Sequence, residues 1–276
     1  ATPAPRSTAS ERVAHPPAAA LATATWEEIA TALGAGRRTA VVPLGATEQH
    51  GPHLPAATDT WIAAALAERF CARVPEALAL PPLPFGCSAE HAAFPGTLTL
   101  RWETLSAVLA DLVASLARQG FERVLIFSAH GGNDALLRAA ARALHAAGRP
   151  ARIVVCAGLD ALARRWQAAS AAHGIDAAAS GQHAGEFETS IMLGLRPQAV
   201  RRRRLRRGAR DAGGDPQSVF YPDLRAVAPS GVVGDPRRAA APRAAAYLDV
   251  WVDALVAAYR AAAKKKRPNT NGTQAL

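Results

Sequence analysis

The sequence predicts an α/β protein built on a mostly parallel sheet with helices on both of its faces. Three observations predict it. Short, almost wholly apolar runs at 39–44, 124–127 and 151–156 read as strands buried on both sides. Segments with helical apolar periodicity separate them, at 60–73, 102–119 and 134–147. The alternation supplies the long crossover connections that parallel strands require. Half of the 276 residues are apolar, enough for one substantial core, and no internal repeat divides the chain.

Taken in order, a first helix opens near Thr25, sets Trp26, Ile29 and Leu33 on one face, and stops at Gly34 or Gly36. Strand 39–44 follows. The helix 60–73 starts directly after Asp59, whose carboxylate is one option for its N-cap. The proline-bounded run 78–83 reads as a short strand end, and 86–99 as a long loop with Pro95-Gly96 as a turn pair. Helix 102–119 closes at Gly120. Strand 123–127 leads to His130, and Asn133 opens helix 134–147, closed by Gly148. Strand 151–156 and a helix over 160–172 come next. Beyond 181–190 the chain reads as helical to Leu195, before Pro197. Residues 208–236 are turn-rich. A last helix, 239–263, carries Tyr247, Trp251, Leu255 and Tyr259 at helical spacing, a stripe read as core or subunit contact. Composition divides the chain into a disordered arm (1–22), one domain (23–263) and a basic, polar tail (264–276).

The net charge of +10 suggests a nucleic-acid partner until it is located. Arg201, Arg202, Arg203, Arg204, Arg206, Arg207 and Arg210 fall in one predicted loop, and Lys264, Lys265, Lys266 and Arg267 in the tail. Without these eleven the chain is close to neutral, so the charge reads as a solvated loop and a terminus, not as a nucleic-acid surface. No apolar run is long enough to span a bilayer. Cys71, Cys87 and Cys156 are odd in number and far apart, which fits free thiols and a cytoplasmic location.

The chemistry concentrates at predicted strand ends, where open α/β sheets place their sites. Glu48, His50 and Asp59 follow the first strand, and His130-Gly131-Gly132-Asn133 follows a second. His183, Glu186 and Glu188 follow a small-residue stretch. Glu48 and His50 are two apart, so in extended backbone they face the same way. A carboxylate such as Asp59 has two oxygens and can bridge two ions. Gly131 and Gly132 allow backbone to approach a substrate closely. Imidazole and carboxylate without thiolate suit Zn²⁺, Mn²⁺ or Fe²⁺ rather than a structural zinc. His53 and His91 are candidates for substrate contact. His15, His145 and His173 lie in the arm or on helices and carry little weight. No Gly-x-Ser-x-Gly elbow supports serine-based hydrolysis.

Four ordered motifs resemble the creatininase family of metal-dependent amidohydrolases: Glu48-x-His50-Gly-x-His53-Leu-Pro-x-x-x-Asp59, Glu90-His91-x-x-Phe-Pro-Gly-Thr97, His130-Gly-Gly-Asn133 and His183-Ala-Gly-x-x-Glu188-Thr-Ser190. The stretch Ser230-Gly-Val-Val-Gly-Asp-Pro236 is similar as well. The resemblance spans about 26–260. It implies a three-layer α/β/α sandwich, usually a homo-oligomer and often a hexamer. It implies two divalent ions held by Glu48, His50, Asp59, His130 and Glu188, with Asp59 as the bridge. It also implies His183 in catalysis; Glu186, three residues on, is a separate candidate, either to complete the metal shell in place of Glu188 or to assist or orient His183. The reaction implied is hydrolysis of a cyclic or linear amide C–N bond in a small molecule or short peptide.

Creatininase itself carries a glutamate two residues after the histidine matching His130, where this chain has Gly132. It also carries a tryptophan shortly before the histidine matching His183, and 177–181 holds none. The His-Gly-Gly-Asn form is shared with relatives that open formamides, cyclic amides or peptide bonds. One of these trims the mycofactocin precursor peptide, which is the alternative activity. A non-catalytic metal- or ligand-binding relative is the other alternative.

Overall fold

In a computed structural model, residues 20–157, 159–210 and 223–264 are described. Most of the expected arm and tail, and part of the turn-rich region, lie outside them. Four strands form one parallel sheet in the order β2-β1-β3-β4: β1 (Thr39–Leu44), β2 (Ala77–Ala79), β3 (Arg123–Ser128) and β4 (Arg152–Cys156). Side chains alternate across it with a period of two. Val41, Leu125, Phe127 and Val154 face one side, where α2 (Thr58–Arg73), α5 (Leu159–Ala171), α7 (Glu186–Leu195) and α9 (Ala244–Lys264) pack. Ala40, Val42, Leu44, Val124 and Ile126 face the other, beneath α1 (Trp26–Gly34), α3 (Trp102–Arg118) and α4 (Asn133–Ala147). The three layers are those expected.

The sequence explains the main elements. Thr25 and Glu28 form a reciprocal capping box that starts α1. The α9 stripe Tyr247, Trp251, Leu255 and Tyr259 is core, almost fully buried. Burial of an aliphatic residue such as Leu255 contributes roughly 1.5–3 kcal/mol. The two tyrosine hydroxyls stay bonded, Tyr259 to Thr39 Oγ1 at 2.8 Å and Tyr247 to Glu186 at 2.9 Å. Pro43 stands in a central strand. Its carbonyl accepts from Leu83, so the N–H that proline lacks would have faced the β2 side, where Pro81 and Pro82 have already ended the ladder.

Several boundaries differ from expectation. The strand expected at 78–83 is only Ala77–Ala79, because Pro81 and Pro82 cannot donate to a ladder. Helix α2 starts at Thr58, with Ala57 at its N-cap, so Asp59 is not the cap. Asp59 sits in the first turn with its carboxylate turned to His50. The last helix begins at Ala244 rather than 239, since Pro242 holds 241–243 in a 3₁₀ turn. Two short helices, α6 (Ala177–Ser180) and α8 (Leu224–Val227), start at Asp176 and Asp223, whose side chains cap them. Among the described residues no helix is long and apolar enough to cross a membrane.

Candidate metal centre

The carboxyl ends of β1 and β3 carry the loops that build the site. After β1 the chain delivers Glu48 and His50, and α2 returns Asp59 beside them. After β3 it delivers His130. The loop before α7 brings His183, and the first turn of α7 brings Glu188. A 3₁₀ turn, Ala89–His91, adds His91.

Asp59 lies between two imidazoles: Oδ1 is 3.1 Å from His50 Nε2, and Oδ2 is 3.6 Å from His130 Nδ1. Glu48 reaches His130 Nδ1 at 3.0 Å, His91 Nε2 at 3.2 Å and His183 Nδ1 at 3.8 Å. Glu188 Oε1 is 3.9 Å from His50 Nε2. Rings of His50 and His91 flank His183, with centroids 4.3 and 4.4 Å away. The donor atoms fall into overlapping groups of three, each within 4.8 Å: Glu48/His50/Asp59, His50/His183/Glu188, Glu48/His91/His183 and Glu90/His91/His130.

The electrostatics are those of a negative well. Burial alone would lower His50, but the carboxylates of Asp59, Glu188 and Glu48 overcome it and raise the imidazole to about 10. His130 is likewise lowered by burial and then raised, to about 10, by Glu48, Asp59 and Glu90. Burial and the neighbouring cationic rings hold His91 at about 2 and keep His183 well below its ordinary value. Burial raises Glu188 and Glu90. A field that retains protons on two buried imidazoles also attracts divalent cations, which displace those protons on binding.

The residues fit such cations. Glu48 Oε2 and Asp59 Oδ2 are buried and accept no hydrogen bond, although ring nitrogens stand close by. Buried oxygens without donors are costly unless something else neutralises them. Imidazole and carboxylate donors in overlapping triads match the preferences of borderline divalent ions.

Two expected site residues lie apart. Glu186 is fully buried, and its carboxylate accepts from Ser190, Arg243 and Tyr247 rather than from His183. His53 has no exposed surface; its Nε2 meets Thr189 Oγ1 at 2.9 Å, and burial with His50 holds it at about 4. Packing against α7 leaves it no face for a substrate. The room at Gly132 is used by the protein itself. A Cβ there would collide with the Cys87 carbonyl and stand 2.5 Å from Glu90 Oε1 and from His130 Nε2. Gly131 is half-buried, and its carbonyl accepts from Asp134 at 3.0 Å.

Sequence reasoning gave no role to Gln49 or Glu90, and it read Asn133 as a helix cap or a brace of the metal loops. Gln49, between Glu48 and His50, places its amide nitrogen 3.0 Å from both His91 Nδ1 and His183 Nε2. Asn133 braces three loops, accepting from Cys87 N and donating to Gly45 O and to Ser128 Oγ. Glu90 stands 3.4 Å from His130 Nε2. Each sits inside a motif, yet an amide between two histidines or a second acid beside one carries no spacing signal of its own.

A doubly covered parallel sheet carries at its carboxyl edge a buried cage of imidazoles and carboxylates of the kind that could hold divalent ions. The chain belongs to the creatininase family: the family model described as creatinine amidohydrolase matches residues 22–259. It is an amidohydrolase, acting on amide C–N bonds. It is 38% identical over 214 residues to the mycofactocin precursor peptide peptidase of Mycobacterium ulcerans, covering 73% of this chain and 76% of that one. It is 30% identical over 192 residues to the creatinine amidohydrolase of Pseudomonas putida, covering 64% and 71%. The crystal structure of a creatininase superposes with a TM-score of 0.74 at 26% identity, over 90% of this chain and 99% of that one. A creatininase described as the Mn form superposes at 0.73 and 26% identity, over 88% and 98%.

Proposed function

We propose that this chain is a metal-dependent peptide amidohydrolase that trims a short peptide precursor, using two divalent ions held by Glu48, His50, Asp59, His130 and Glu188. The buried cage with two donorless carboxylate oxygens carries the reading. Two observations favour a peptide over creatinine: greater identity to the peptide peptidase than to the creatinine enzyme, and Gly132 in place of creatininase's glutamate. By donor type Zn²⁺ is the first choice, with Mn²⁺ or Fe²⁺ as alternatives. The reading includes one domain over 23–263, a cytoplasmic location and a homo-oligomer, a hexamer by family resemblance. Exposed Trp26, Phe85, Leu98 and Trp102 offer apolar surface for contacts between copies.

When bound, the ions supply Lewis acidity for activating water and the scissile carbonyl. The chain supplies proton handling and orientation. His183 is neutral, and its Nε2 lies 2.8 Å from the Gln49 main-chain carbonyl, which can only accept. That bond leaves the Nδ1 lone pair facing Glu48 and the cage. Nδ1 can take the proton that the attacking water gives up and pass it to the leaving nitrogen. Gln49 donates to His91 Nδ1, so His91 presents Nε2–H to Glu48 and keeps that carboxylate in place. Asn133 locks the loops that carry Gly45, Cys87 and Ser128 to one another.

The test is elemental analysis of the purified protein, followed by assays on short peptides, formamides, lactams and creatinine. Peptide cleavage that stops on chelation and returns with Zn²⁺ or Mn²⁺ is expected. Asp59→Ala should lose metal and about three orders of magnitude in kcat/KM, roughly 4 kcal/mol. His183→Ala should keep its metal and lose rate. Full turnover in chelator, or creatinine as the preferred substrate, refutes the proposal.

A further inference from the structure

We propose that Glu90 is a positioning residue of the cation site: through the room left by Gly132 it places a carboxylate behind His130 and directs that ring's Nδ1 towards Glu48 and Asp59. The inference rests on the metal reading above. His130 has two distinct sides. On one, Nδ1 lies 3.0 Å from Glu48 Oε2 and 3.6 Å from Asp59 Oδ2. On the other, Nε2 meets the Cys87 carbonyl at 2.8 Å, Ser88 Oγ at 3.3 Å and Glu90 Oε1 at 3.4 Å. All three groups come from one short segment. A main-chain carbonyl can only accept, so Nε2 keeps its proton, and it is the Nδ1 proton that a cation in the cage would displace. A carboxylate behind a metal-binding imidazole raises its basicity and fixes its tautomer.

Glu90 is more than nine-tenths buried. One Glu90 oxygen, Oε1, is left without a hydrogen-bond partner among the described residues. That oxygen is 3.4 Å from His130 Nε2 and 3.9 Å from His91 Nε2. Its approach depends on position 132, where a Cβ would stand 2.5 Å from both Glu90 Oε1 and His130 Nε2. The sequence pattern read Gly132 as a missing acid. The fold fills that space with an acid from forty-two residues upstream, on the 3₁₀ turn Ala89–His91.

The experiment is equilibrium dialysis of the full chain against Zn²⁺ with elemental analysis, on wild type, Glu90→Gln and Glu90→Asp. Thermal unfolding in chelator reports whether each variant folds. Wild type should bind two ions. Glu90→Gln keeps the shape and loses the charge, so it should bind one ion roughly 10–100-fold more weakly and the other unchanged. Glu90→Asp, which keeps the charge on a shorter arm, should fall between. Wild-type affinity for both ions in Glu90→Gln overturns the proposal. Equal loss in Gln and Asp also overturns it, because shape rather than charge would then matter. A wild-type chain that binds no divalent ion removes the metal reading itself, an outcome distinct from either.

Discussion

Glu186 and Glu188 stand two residues apart on one helix and live in opposite electrostatic worlds. At about 100° per residue they face nearly opposite sides of α7. Glu186 points at α9, where Arg243, Tyr247 and Ser190 satisfy both oxygens of a fully buried carboxylate. Glu188 points at the cage, where one oxygen accepts from Ala184 N and the other stands 3.9 Å from a histidine. Burial raises Glu188 above its ordinary range. The contrast separates a fully buried acid from one that keeps part of its side chain exposed. A satisfied acid holds helices together, and an under-satisfied one is held ready for a ligand at a cost in stability.

The largest effect that would test this contrast is Arg243→Ala. Leaving Glu186 buried without its cation should cost about 3 kcal/mol in urea unfolding, with metal content unchanged. Metal lost in parallel would return Glu186 to the cage. Glu188→Gln should act the other way. In chelator it should stabilise the protein by about 1 kcal/mol near neutral pH, while weakening metal binding. The sign follows from its raised folded value. Glu188's contribution is fully present below its ordinary 4.5 and is lost as pH rises towards about 7. The advantage of the Gln variant should therefore grow between those pH values, and a flat difference would show that Glu188 is not strained. The smallest effect concerns Ala184, which holds φ at +51° between His183 and Gly185 and donates its N–H to Glu188. Ala184→Gly relieves that left-handed conformation but loosens the unfolded chain, so a gain of no more than about 1 kcal/mol is expected in thermal unfolding. A marked loss would mean that Ala184 contributes packing beyond its backbone.

Much of the fold was legible because strands and helices announce themselves locally. The apolar run at 39–44 coincides with β1, and 102–119 differs from α3 by one residue. Boundaries failed where proline intervened, at Pro81 and Pro242, since proline's effect depends on which side of the chain needs a donor. Motif spacing singled out Glu48, His50, Asp59, His130, His183 and Glu188, and the fold brings their donors together. It set Glu186 beside the cage, but helix geometry turns Glu186 to the side of α7 opposite Glu188, where Ser190, Arg243 and Tyr247 hold it. It passed over Glu90 and Gln49, whose partners lie 40 and 134 positions away.

Residue order alone determined the layers, the element types and the kind of chemistry, since periodicity and donor type are properties of neighbouring residues. Only the folded chain decided which acid serves which histidine. Those pairings depend on β1 and β3 lying side by side, with the loops at their ends closing on one another. Such convergence is set by sheet order and packing, and no local stretch of sequence encodes it.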